Sequence, residues 1–141
     1  MIELLRIEQL ALVDRIELEF GPALNVVTGE TGAGKSVVLG ALGMLAGARA
    51  SAAAIREGAD QAVVEAVFRT DRLPELEAEL AERGLTVDDH ELVVRRTLNK
   101  SGRSRAQVGG GLVPIATLAE LFAGRIEISS QHQSQGLLRP E

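Results

Sequence analysis

Cysteine is absent from the 141 residues, and with it go a disulfide framework, a thiolate metal site and a cysteine nucleophile. Trp and Tyr are absent too, and three Phe make up the whole 2% of aromatics, so a core must be built from Leu, Val, Ile and Ala. Hydrophobic residues reach 45%, enough for one ordinary domain or one piece of a larger domain. The N-terminus, Met1-Ile2-Glu3-Leu4-Leu5-Arg6, lacks the basic stretch, apolar stretch and cleavage site of a secretory signal. The longest nearly apolar run, Val37 to Ala48, is too short to span a bilayer. These absences predict a soluble cytoplasmic protein with no membrane partner. Twenty acids against fifteen Lys and Arg leave a net charge of −5, which argues against a bulk electrostatic grip on nucleic acid and leaves room for a local basic patch.

What is present begins with strand patterns. Residues 2 to 8 and 14 to 20 interleave Ile, Leu, Val and Phe with Glu and Arg at a period near two, which predicts an antiparallel pair. Gly21-Pro22 marks a turn, and Leu24 to Thr28 is short, apolar and β-branched, as a strand buried on both faces would be. Ser36 to Leu45 is apolar nearly all round and predicts a buried helix. Ala48 to Gly58 reads as a helix end and an irregular connection. Further strands are predicted at Ala62 to Phe68, Glu91 to Leu98, Arg105 to Val108 and Arg125 to Ser129. Helices are predicted at Leu73 to Arg83 and from Pro114 to Ala123. The last segment, Ser130 to Gly136, is a polar loop.

Between the third strand and the first helix stands GETGAGKS, residues 29 to 36, which matches the P-loop template of Gly, four residues, Gly, Lys and Ser or Thr. Gly29, Gly32 and Gly34 let the backbone curl closely around phosphates without a clashing Cβ. Glu30, Thr31 and Ala33 complete the loop. Backbone N–H groups from about Gly32 to Ser36 then form an anion nest at the positive end of the following helix. Lys35 reaches the β- and γ-phosphates, and the Ser36 hydroxyl ligates Mg²⁺. The expected ligand is a nucleoside triphosphate, ATP with magnesium.

Hydrolysis needs more than this loop, namely an acid closing the magnesium shell and a group to position water. The usual second acid follows four aliphatics at a strand end, and no such run occurs. Glu91-Leu92-Val93-Val94 ends in Arg95, and Arg125-Ile126-Glu127-Ile128 ends in Ser129. Gln131, just past a predicted strand, is the remaining candidate for contact with the metal or the attacking water; as an isolated residue it reads more readily as a solvated loop position.

Set beside its flanks, the P-loop resembles that of the SMC-like, ABC-type ATPases that act in recombinational DNA repair. The resemblance rests on IEQLALVDRIELEF, LNVVTGETGAGKSVVLGALGMLAGARA, IREGADQAVVEAVF, LVVRRTLNKSGRSRAQV and ISSQHQSQGLL, nearly the whole chain. It implies an α/β P-loop NTPase fold, the N-terminal lobe of an ABC/SMC-type head, with a mixed sheet and an antiparallel β subdomain. It also implies that residues 1 to 141 are one lobe of a split head, with a coiled coil and a C-terminal lobe carrying the signature motif and second acid beyond them. By the same resemblance Gln131 is the Q-loop glutamine, a magnesium contact alongside Ser36, and Lys35 and Gln131 serve the reaction. Where the family tends to carry His-Gly before that glutamine and His-Glu-His after it, this chain has Ser129-Ser130 and His132-Gln133-Ser134. The implied partners are the C-terminal lobe, a second head forming a homodimer around ATP, and DNA in double-strand-break repair, at a nucleoid-associated cytoplasmic location.

One local feature bears on DNA. Arg95, Arg96, Lys100, Arg103 and Arg105 crowd into eleven positions around a predicted hairpin, either as a phosphate-contacting patch or as a solvated hairpin paired with nearby acids. Arg49 and Arg56 are further candidates for nucleotide or DNA contact, or for capping helix-end carbonyls. Two other classes compete with the split head. A self-contained small P-loop kinase or transferase would need a basic lid and a substrate pocket within these residues. A nucleotide-dependent dimerisation module would bind ATP without turnover.

Overall fold

The period-two segments pair into one antiparallel sheet. The computed structural model describes residues 2–19, 32–85 and 87–122. Six strands, β1 (Ile2–Leu10), β2 (Val13–Glu19), β3 (Gln61–Arg69), β4 (Glu91–Asn99), β5 (Ser104–Val108) and β6 (Gly111–Val113), are ordered β2-β1-β3-β4-β5-β6. Three helices, α1 (Gly32–Leu45), α2 (Pro74–Glu82) and α3 (Ile115–Phe122), accompany them. The predicted strands at 24–28 and 125–129 lie outside the described residues, so the sheet described is the antiparallel part of the expected architecture.

Alternation decides which face is buried. Leu5 and Ile7 of β1, Ala62, Val64, Ala66 and Phe68 of β3, Leu92, Val94 and Leu98 of β4, and Ala106 and Val108 of β5 all point into one core. Helix α1 lies over β1, β3 and β4 with Val38, Ala41 and Leu45 buried, and α3 brings Leu118, Leu121 and Phe122. With aromatics so scarce, two of the three Phe meet here: Phe68 and Phe122 stack with ring centroids 5.1 Å apart. The opposite face carries ionic cross-strand pairs. Arg6 of β1 bridges Glu17 of β2 at 2.9 Å and Glu65 of β3 at 2.7 Å, following the register Arg6↔Glu17 and Arg6↔Glu65.

Local chemistry explains the edges of the elements. Strand β6 falls in a segment, Gly109 to Val113, for which the sequence pattern predicts no strand. Gly109 and Gly110 both have positive φ and close a two-residue hairpin in which Val108 pairs with Gly111. Pro114 precedes α3 rather than entering it, and its carbonyl accepts from the Thr117 N–H at 2.9 Å. Helix α2 starts with Pro74 at its first turn and ends before Gly84. Helix α1 is not buried all round: Ser36 and Gly40 are exposed on the side away from Val37, Val38 and Ala41. Segment 52–56 docks on the β1–β2 hairpin, where the Ala11 N–H donates to Ala54 O at 2.7 Å and the Arg56 N–H to Gln9 O at 2.8 Å.

A polar cluster ties α2 to the adjoining ends of the central strands β3 and β4. Thr70 Oγ1 donates to Glu77 Oε2 at 2.5 Å, and the same oxygen lies 2.7 Å from His90 Nδ1. The hydrogen bond to Glu77 raises the His90 pKa, and the bonds from Thr70 and His90 lower that of Glu77. A raised imidazole pKa adds stability that is complete below its unfolded value of about 6.5 and is lost as pH climbs through the folded value. A lowered carboxyl pKa adds stability that is present above its unfolded value, about 4.3, and is lost in acid through the folded value. The pair therefore contributes most between those two unfolded values. Melting curves of the chain and of His90→Ala should differ most near about pH 5.5 and converge towards about pH 8.5; an equal difference at both would remove the pair from the account.

Candidate nucleotide site and basic hairpin

Helix α1 begins at Gly32, so Gly32, Ala33, Gly34, Lys35 and Ser36 form its first turn and a little more. Gly29, Glu30 and Thr31 lie outside the described residues, as does Gln131, so its relation to Lys35 and Ser36 stays as the sequence gives it. The first turn of α1 contains no acidic residue. Its unpaired N–H groups and the positive end of its dipole are thus not neutralised from within the helix, which fits a polyphosphate there. Ser36 is exposed at this end, while Val37 and Val38 anchor the next turn in the core. The residues present therefore suit triphosphate binding.

The other end of α1 holds a residue whose role the sequence reading missed. Arg96 was grouped with the solvent-facing basic residues of the hairpin, and the structure corrects this: it is only 2% exposed. Its Nη1 donates to Met44 O at 2.8 Å and to Ala48 O at 2.5 Å, and its Nη2 to Ser104 Oγ at 3.2 Å. Alternation is the cause. Leu92, Val94 and Leu98 face inward along β4, so Arg96, in step with them, faces inward too. Burial pulls its pKa down, yet guanidinium remains charged. It is therefore excluded as a DNA contact.

The remaining hairpin cations do face solvent. Arg95, Lys100, Arg103 and Arg105 are exposed. Lys100 Nζ lies 3.6 Å from Asp60 Oδ1, whereas Arg95, Arg103 and Arg105 have no ion-pair partner among the described residues. Arg49 is exposed, and Arg56, 3.8 Å from Asp14, lines an open polar pocket with Gln9, Glu57 and Asp60 beside the hairpin tip. Among the described residues no helix is long and apolar enough to cross a membrane.

Solved structures share this architecture. A chain from work on ATP-driven dimerisation and DNA-stimulated activation of SMC ATPases superposes with a TM-score of 0.68 at 22% identity, over 91% of this chain and 86% of that one. The SMC head domain of Thermotoga maritima gives 0.61 at 20% identity, over 87% and 42%. The recombination mediator protein RecF gives 0.64 at 15% identity, over 84% and 29%. The fold is that of the P-loop ATPase heads of SMC and RecF proteins.

No protein-family model matches the chain, but individual relatives do. It is 42% identical over 135 residues to the DNA repair protein RecN of Streptomyces coelicolor, covering 96% of this chain and 24% of that protein. With RecN of Vibrio cholerae the identity is 37% over 141 residues, covering 100% and 25%. The chain belongs to the RecN family, and it spans about a quarter of the length of the curated relatives it matches.

Proposed function

We propose that these residues are the ATP-binding half of an SMC-like ATPase head acting in recombinational repair of DNA double-strand breaks. The observation that carries the reading is the GETGAGKS motif running into an acid-free helix start on a head-type fold. Residues 29 to 36 wrap the phosphates, with Lys35 on the β- and γ-oxygens and Ser36 on magnesium. Gln131 supplies the second protein contact to the metal shell. ATP bound with Mg²⁺ contributes the scissile phosphoanhydride and a charge-neutralising cation; the residues here bind and orient it. The second acid comes from a C-terminal lobe beyond residue 141, reached through a coiled coil, so one lobe binds and two lobes hydrolyse. Heads pair around nucleotide as a homodimer, in the cytoplasm and on the nucleoid.

Arg95, Arg103 and Arg105, exposed and without acidic partners among the described residues, form the DNA-contacting patch with Lys100, positioning phosphates without reading bases. Equilibrium titration of the chain with ATP tests the first step. Binding should require Mg²⁺ for full strength and disappear for adenosine, which lacks the phosphates; equal binding of adenosine and MgATP would defeat the assignment.

A further inference from the structure

Arg96 is the one buried charged side chain among the described residues, and the nucleotide reading does not account for it. Its position on β4 is flanked on the same face by Val94 and Leu98, both fully buried. An aliphatic residue there would extend the core, and replacing a buried charge by a well-packed apolar group is often neutral or stabilising. The cation must therefore serve something that packing does not. Its acceptors come from three separate segments: Met44 in the last turn of α1, Ala48 in the loop after it, and Ser104 at the start of β5. Helix α1 has no basic residue of its own in its last turn. The guanidinium, projected from the sheet, supplies what that carbonyl end lacks, and a planar fork with several donors fixes direction as well as distance. Among the described residues its Nε has no partner, so the side chain's pairing is spent on the helix end, the loop and Ser104.

We infer that Arg96 is a positioning residue for the nucleotide loop, clamping the carbonyl end of α1 to β4 and so fixing where the amino end, Gly32 to Ser36, sits. The inference rests on the proposed nucleotide site. A 14-residue helix is a stiff rod about 21 Å long, so a tilt allowed at one end moves the other. Val37, Val38 and Ala41 hold the rod on the sheet by apolar contact, which resists lifting but does not fix rotation or sliding as directional hydrogen bonds do.

The test compares Arg96→Met and Arg96→Lys with Val94→Ala, a variant that loses buried volume on the same face of the same strand and removes none of the hydrogen bonds to the helix end. Hydrogen exchange at the amides of Ser36 to Gly40 and MgATP affinity are both read well below the melting temperature. Arg96→Met should speed exchange at that amino end and weaken MgATP binding about three- to tenfold. Arg96→Lys, restoring a single donor group, should fall between it and the parent. Val94→Ala should leave both readouts near the parent even where it lowers the melting temperature as much. Exchange in Arg96→Met that rises only at Leu42 to Ala48, or matches Val94→Ala at the amino end, would overturn the inference. Exchange needs no nucleotide, so a parent chain that fails to bind MgATP contradicts the proposed function and leaves exchange to decide this point. Should Arg96→Met fail to fold, Arg96→Lys carries the same comparison.

Discussion

Gly47→Ala should unfold much of the population or lower stability by at least about 4 kcal/mol, the range of exceptional single substitutions. Two causes add. Gly47 has φ +93°, and left-handed backbone costs an L-residue about 1–2 kcal/mol. An added Cβ would lie 2.7 Å from the Ala119 N and 3.0 Å from its Cα. Those are backbone atoms of α3, which cannot retreat without dragging Leu118, Leu121 and Phe122 out of the core. Gly58→Ala separates the two causes, because Gly58 has φ +91° and nothing within 4 Å of an added Cβ. It should lose only the conformational part. Chemical denaturation of both variants checks this, and similar losses in the two would show that the close approach to α3 has no energetic weight.

Lys35→Ala should all but abolish MgATP binding while leaving the fold intact. The ammonium is the one side-chain cation that the P-loop template aims at the β- and γ-phosphates. Removing one partner of a hydrogen-bonded charge pair costs about 2–5 kcal/mol, which is roughly 30- to 4,000-fold in affinity. The substitution adds a strong helix former to a helix that already contains Lys35, so the melting temperature should hold. Isothermal titration alongside a melt reads both quantities. Unchanged affinity would mean that the motif is a glycine-rich turn without a ligand.

The strands were legible because each is half-buried, so period two survives in the sequence: β1, β2, β3, β4 and β5 fall within two residues of where alternation puts them. Strand β6 was not, because three residues between two positive-φ glycines and a proline are too few to display a period. The family was legible from the P-loop and its flanks together. The direction of one basic side chain, Arg96, is misread for one specific reason: counting the hairpin cations as a cluster assigns none of them to a face, whereas Arg95, Lys100, Arg103 and Arg105 face solvent as expected. The pattern Leu92, Val94, Arg96, Leu98 already held the answer, since a residue in step with three buried aliphatics must share their face. What Arg96 holds there was not legible, because the contact from β4 to the end of α1 joins residues 52 positions apart through packing that no local pattern encodes. The run of four aliphatics ending in an acid is absent from the sequence, and the split-head reading comes from the family resemblance, with which that absence accords.

That reading is tested most directly by ATP turnover, first with this chain alone and then with a separately produced C-terminal lobe of a RecN protein added. The account predicts silence from the chain alone and turnover on mixing, lost again with Lys35→Ala. Turnover by the chain alone that Lys35→Ala abolishes would contradict it, and would make these residues a complete small enzyme.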